Sequence, residues 1–409
     1  MRSSAFRILI LFTFLLLTGL TGYFLLHGNK GISAALLAGT QDSPEINPGL
    51  WNGNTQGFDR AEGPRELRFP EDQGPHLNFQ TEWWYYTGNL ETAEGRHFGY
   101  QLTFFRRALT PITSLPERDS DWATNQVYMA HFALIDVEAG QFYNHELLAR
   151  GAADLAGAQS PPYQVWLYNW QIKQEAGNKY HLGAAQDAIS IELELTDLKG
   201  PILHGRRGYS QKGPAPGDAS YYISQTRLLS EGVVKVADER FLVSGLSWMD
   251  HEFSTSALAS DQVGWDWFSI QLGDVNGQSS VRDSGKAIEL MVFQIRKADG
   301  STDPYSSGTL IYPDGDTQHL DKKDFEITAL DTWESPRSEA KYPSRWALRV
   351  PSAQLNLQIE PYLEDQELNL SYEYWEGAVK ISGEYDGQAV TGNGYVELTG
   401  YAASMAGEF

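Results

Sequence analysis

The chain has 409 residues, an aromatic content of 12%, a formal net charge of -22 and no cysteine. Its length exceeds one ordinary domain, and its rings suffice for one large core or two of moderate size. The acidity argues against a nucleic-acid partner, because neutralising phosphates needs clustered Lys and Arg, and the missing thiols exclude disulfides, Fe–S clusters and Cys-based zinc sites.

In chain order, Arg2 and Arg7 precede an apolar run over residues 8–26, with no acidic group before Asp42. That charge order marks residues 1–30 as a signal peptide or an N-terminal membrane anchor. The run is long enough to cross a bilayer at roughly 20 residues, and the best small-residue cleavage candidate, 33–35, lies well past its end. The anchor is therefore the preferred reading. It places the remainder outside the cytoplasm, in the periplasm, tethered to the inner membrane. Residues 31–69 form a linker, since the stretch around 43–75 is rich in Pro, Gly and Asn and shows no period.

From Gln80 onward, strand-like segments recur between turn dipeptides: Ala139-Gly140, Asn276-Gly277, Asp299-Gly300, Asp314-Gly315, Asp386-Gly387 and Asn393-Gly394. This pattern predicts an all-β fold of antiparallel hairpins. Helical periods are scarce, and residues 139–158 and 256–262 hold at most short turns. Such strands close most economically as sandwiches or barrels, and a barrel leaves a cavity at its mouth. The small and polar residues 256–262 interrupt two aromatic strands, which divides the chain into domains at 70–255 and 256–409.

Three constellations carry chemistry. In TEWWYYTGNL, residues 81–90, period-two alternation puts Glu82, Trp84 and Tyr86 on one face and Trp83 and Tyr85 on the other. The segment is either a central core strand or one whose Glu82 and aromatic row line a ligand cavity. In GYQLTFFRR, residues 99–107, Gln101, Thr103 and Phe105 share a face that is solvated or orients a ligand. In YMAHFALIDV, His131 lies among apolar neighbours as a satisfied core residue or a functional one. The densest mixture spans residues 243–272, where Asp250, His251, Glu252 and Asp266 sit among tryptophans. Charged groups avoid apolar interiors unless paired or put to chemical use. Trp248, Asp250 and Glu252 point one way along a strand, and Met249, His251 and Phe253 the other. Asp266 lies opposite Trp265 and Trp267. The carboxylates and imidazole converge if the connection at 256–263 folds back; otherwise they form an ion-pair network between domains.

Several enzyme templates are absent. GYSQKG around Ser210 is not a nucleophile elbow, neither HELLA at His145 nor HEFST at His251 completes a zinc motif, and DVNG at Asp274 reads as a hairpin turn rather than a calcium loop.

Together TEWWYYTGNL, GYQLTFFRR, GYSQKG, YYISQTRL (residues 221–228), LSWMDHEFST, GWDWFSIQL, YWEGAVKISG and GNGYVELTGY resemble the carotenoid 1,2-hydratase (hydroxyneurosporene synthase) or AttH-like family over residues 70–402. The resemblance implies two consecutive lipocalin-like β-barrel domains after the N-terminal hydrophobic helix. It also implies cofactor-free, metal-free hydration of an isoprenoid double bond. Such a reaction needs an acid kept protonated by burial, aromatic faces for the tertiary cation, and a positioned water. Asp250 and His251 fall on the family's Asp-His-x-Trp stretch, with Phe253 where the hydratases have Trp, a poorer ring for stabilising a cation. The resulting expectation is a hydro-lyase acting on an apolar isoprenoid or lipid-like substrate. Asp250 or Glu252 would donate the proton, His251 would orient water or donor, and Asp266 is a further candidate. Tyr222, Trp248, Trp265 and Trp267 would help shape the pocket. The alternatives are an exported carrier of a hydrophobic ligand working beside a transporter, and a secreted hydrolase using paired carboxylates.

Overall fold

The computed structural model describes residues 54–114, 120, 122–255, 258–273 and 287–406. The apolar run at 8–26, most of the linker, Asn276-Gly277 and the DVNG turn lie outside them.

A first antiparallel sheet contains β1 (Thr81–Glu91), β2 (His97–Ala108), β3 (Gln126–Asp136), β4 (Gln141–Arg150), β5 (Ala156–Gln159), β6 (Gln164–Leu167), β7 (Trp170–Ala176), β8 (Lys179–Gln186), β9 (Ile189–Asp197), β10 (Ile202–Leu203), β11 (Tyr209–Gln211), β12 (Ala219–Val236) and β13 (Glu239–Ser254). Its order is β4-β3-β2-β1-β13-β12-β9-β8-β7-β6-β5, with β10 and β11 paired to β12. The second contains β14 (Gln262–Leu272), β15 (Glu289–Lys297), β16 (Ser307–Ile311), β17 (Thr317–Asp321), β18 (Glu326–Glu334), β19 (Lys341–Val350), β20 (Leu355–Pro361), β21 (Glu367–Asn369), β22 (Glu373–Tyr385) and β23 (Gln388–Leu398). Its order is β17-β16-β15-β14-β23-β22-β20-β19-β18, with β21 on β22. Both sheets curl into barrel-like shells, and the chain passes from one to the other between Ser254 and Gln262.

Four of the turn dipeptides sit where chain reversal requires them: Gly140, Gly300, Gly315 and Gly387 all have positive φ. Asn393-Gly394 does not reverse the chain. It lies inside β23, flanked by β14 and β22. A Cβ at 394 would meet the Ser269 carbonyl at 2.3 Å, so close strand approach, not turn geometry, explains that glycine. Residues 141–150 differ from expectation too. They form strand β4 along the whole of β3, pairing having overridden a locally helix-prone composition.

Alternation then sorts the side chains. Trp84, Tyr86, Tyr100, Leu102, Phe104, Phe132 and Met249 fill the first shell, while Phe268, Leu290, Val292, Trp346, Trp375 and Val396 fill the second. Fully burying rings of this size contributes roughly 2–3 kcal/mol each. The opposite faces of β1, β3, β12 and β13 pack against those of β14, β15, β22 and β23 through Tyr85, Ile135, Tyr222, Trp248, Trp267, Phe293 and Tyr395. The shells come so close that a Cβ on Gly99 would lie 2.5 Å from that of Ala378. This inter-shell layer is where the site lies.

Candidate functional site

Between the two shells lies a cavity with an open mouth. The first shell supplies Trp83 and Tyr85 from β1, Thr103 and Phe105 from β2, Met129 and His131 from β3, and Tyr222, Asp250 and Glu252 from β12 and β13. The second supplies Trp265, Trp267, Phe293, Tyr374, Glu376 and Glu397. The mixture is a mostly aromatic wall with carboxyl groups set into it, which matches the general form of a small-molecule site.

Asp250 anchors the first-shell wall. Trp248 donates its indole N–H to Oδ1 at 2.6 Å, and Ser224 and Tyr222 donate their hydroxyls. Tyr222 is in turn fixed by the Trp267 N–H at 2.8 Å from the second shell, and Ser224 lies 2.7 Å from His204 Nε2. Burial pushes His204 down to about 3, so the ring is neutral. Burial likewise pushes Asp250 up to about 7, against the pull of its three neutral donors. Lys212, the lysine lining the cavity, is paired with Glu252 rather than with it.

The second shell repeats the theme. Glu397 accepts the Trp265 N–H at 2.7 Å, and burial carries it to about 7. Glu376 accepts from Tyr85 at 2.8 Å, and burial with the charge of Glu397 holds it well above the carboxylate range. Its Oε1 has no hydrogen-bond partner among the described residues. Glu252 differs from all three, since Lys212 Nζ lies 2.7 Å away and Ser220 donates to it. The cavity thus contains three carboxyl groups held above the usual carboxylate range and one ion pair.

Several expected site residues lie elsewhere. Glu82, Trp84, Tyr86, His251 and Phe253 occupy the other face of β1 and β13, because odd and even positions of a strand face opposite sides. There Arg106 Nε lies 2.8 Å from Glu82, and both His251 Nε2 and His76 Nδ1 lie 2.8 Å from it. His251 stacks on Trp84 at 4.9 Å and His76 on Phe253 at 3.4 Å. His251 therefore neither reaches Asp250 nor enters the cavity. Asp266 also turns away, bound by Arg296 Nε at 3.0 Å and by the Tyr401 hydroxyl, so the convergence of four ionisable groups does not occur. Gln101 lies behind Thr103, to which its amide donates, and Trp248 meets the site through Asp250 and an edge-on contact with Trp267 at 6.3 Å. Phe105, His131, Tyr222, Trp83, Trp265 and Trp267 do line the cavity with Asp250 and Glu252.

Ligating atoms of His76, Glu82 and His251 lie within 4.8 Å of one another. Their bonding is that of a proton network rather than a metal centre. Both Glu82 oxygens are engaged by Arg106 and the two imidazoles, and the ring nitrogens of His76 each face a carboxylate, Glu82 and Asp72. A ring donating on both sides is a cation, which occupies the place a metal would take.

Lys212, Glu376, Glu397 and Tyr374 escaped notice in the sequence. Glu376 and Glu397 carry the signal that singled out Asp250, a carboxylate between bulky strand residues, in Tyr374-Trp375-Glu376 and Tyr395-Val396-Glu397.

The AttH-like family model matches residues 60–401. A crystal structure of an AttH-like protein from Nitrosomonas europaea is similar at 32% identity and a TM-score of 0.71, covering 84% of this chain and 100% of that one. Kievitone hydratase from Nectria haematococca is similar at 16% identity and a TM-score of 0.60, covering 86% and 97%. CghA in complex with Sch210972 is similar at 12% identity and a TM-score of 0.52, covering 86% and 98%. The last two likenesses concern the fold alone. No curated protein matches the chain.

Proposed function

We propose, for a chain that belongs to the AttH-like family, that it is a cofactor-free hydratase of an apolar, unsaturated isoprenoid- or lipid-like substrate, with Asp250 as proton donor. The observation that carries this reading is a carboxyl group with a pKa of about 7, facing an aromatic cavity whose lysine, Lys212, is paired with Glu252 instead. Protonating an unactivated double bond demands an acid that is still protonated near neutral pH, and burial supplies it. The cation formed next is stabilised by ring faces, here those of Trp83, Trp265, Trp267 and Tyr222. Glu252, paired with Lys212, orients the polar end of the guest. A hydratase among the fold's relatives supports the same chemistry. An anchored, exported chain would meet such a substrate at the outer face of the inner membrane.

The test is to incubate the full-length protein with isoprenoid and lipid extracts in ¹⁸O-labelled water and follow bound and released species by mass spectrometry. Gain of one labelled water, lost in Asp250→Asn while ligand is still retained, is the expected result. Ligand recovered unchanged from the parent protein would replace this reading with that of a carrier.

A further inference from the structure

Hydration also needs a base to take the proton that the attacking water releases, and the cavity lining holds a chain of groups suited to that. Tyr374 of β22 lines the cavity, and its hydroxyl lies 2.7 Å from His131 Nδ1 on β3. His131 Nε2 lies 3.0 Å from Glu146 on β4, its register partner. Glu146 also accepts from the Ser371 hydroxyl at 2.6 Å and its backbone N–H at 3.3 Å. His131 is 1% exposed whereas the Glu146 side chain is 13% exposed, so the chain runs from the cavity to the solvent boundary.

The direction of these hydrogen bonds follows from charge. Burial works to raise Glu146, but His131 and Ser371 outweigh it and hold the group below the usual carboxylate range, hence ionised. A carboxylate only accepts, so Nε2 carries the imidazole proton and Nδ1 is left with a lone pair toward Tyr374. Base, orienting carboxylate and a hydroxyl facing the reacting space then stand in the order familiar from nucleophile-activating triads.

We propose that Tyr374, His131 and Glu146 form the base relay of this cavity, an inference that rests on the hydration reading. Asp250 gives its proton to one alkene carbon and becomes a carboxylate, leaving a cation at the neighbouring carbon. Water attacks that carbon; as the C–O bond forms, a water O–H bond breaks and its proton passes to Tyr374 Oη. The proton of Tyr374 moves to His131 Nδ1, and the imidazolium rests against Glu146. The cycle closes when the proton on Nδ1 returns through Tyr374 to a second water, which carries it to Asp250, so that Nε2 keeps its proton against Glu146 and the starting tautomer is restored. Tyr374 is the catalytic residue of the relay; His131 and Glu146 are positioning residues that act through it.

Two measurements on the full-length chain decide this. With ¹⁵N-labelled histidine, the His131 signal being assigned by its loss in His131→Gln, Nε2 should be protonated and Nδ1 bare at neutral pH. Tyr374→Phe should move the Nδ1 shift without changing the tautomer. A proton found on Nδ1 would mean that His131 donates to the tyrosine, which overturns the relay. In the labelled-water assay, Tyr374→Phe, which keeps the ring, should retain ligand and slow water addition about a hundredfold, with Glu146→Gln slowed less. Parental turnover by Tyr374→Phe sinks the relay and leaves the role of Asp250 standing. A parent protein that adds no water removes the reaction itself, and the relay with it.

Discussion

Strands β1 and β13 bury acids on both of their faces, and the two faces treat them in opposite ways. On the shell-interior face, burial works to raise Glu82, yet Arg106, His251 and His76 outweigh it and hold the group well below the usual range. On the cavity face, Asp250 receives only neutral donors and rises to about 7. Depth of burial is similar, 0% against 3% exposed, so it does not distinguish them. The presence of a buried guanidinium does: a charge already paid for by its partner is structural, whereas an uncompensated acid keeps its proton and can deliver it.

The sharpest way to break this comparison is Glu82→Gln. It leaves Arg106 without its carboxylate and His76 with Asp72 alone, and should cost roughly 3–5 kcal/mol of unfolding free energy, read from the urea midpoint. A loss below about 1 kcal/mol would show that the interior network holds little together. The cavity face should respond with the opposite sign. Between its ordinary pKa of 3.8 and about 7, Asp250 is protonated in the folded state and not in the unfolded one, so the native state binds more protons and stability falls as pH rises through that window. Above pH 7, Asp250→Asn should therefore be more stable than the parent by on the order of 2 kcal/mol, with a flatter pH profile. Destabilisation at pH 8 would contradict the acidity assigned here.

His251→Gln should cost about 1 kcal/mol, because an amide N–H can still reach Glu82, and ligand retention in the cavity should not change. A selective loss of ligand binding would return His251 to the site. The smallest effect belongs to Trp265→Phe, which removes the N–H that Glu397 accepts and should lift its titration midpoint further above about 7. Infrared titration of the protonated carboxyl band checks it, and a fall in the midpoint would mean that burial is not what raises this group.

Much of the fold was legible. The turn glycines at 140, 300, 315 and 387 marked chain reversals, and the alternation in TEWWYYTGNL correctly separated Glu82, Trp84 and Tyr86 from Trp83 and Tyr85. The same alternation placed Asp250 and Glu252 opposite His251. The convergence offered for the three acids and the imidazole singled out in residues 243–272 does not occur, since closeness along a strand is closeness on two different faces. His76 was missed because it stands in an irregular lead-in with no period to read. Arg106 is overshadowed in the sequence by the polar row of its neighbours, and Lys212 stands in a short segment, GYSQKG, with no period to read.

From the order of amino acids alone came the repeated antiparallel strands, the sharing of a face by every second residue, and the family's motifs. Those properties are local, set by backbone geometry over a few residues. Which of two equally aromatic faces would become a cavity was decided only when the second shell packed on the first. That contact brought Glu376 and Glu397 opposite Asp250 from more than a hundred residues along the chain, and stripped these acids of the solvation that would otherwise have kept them ionised.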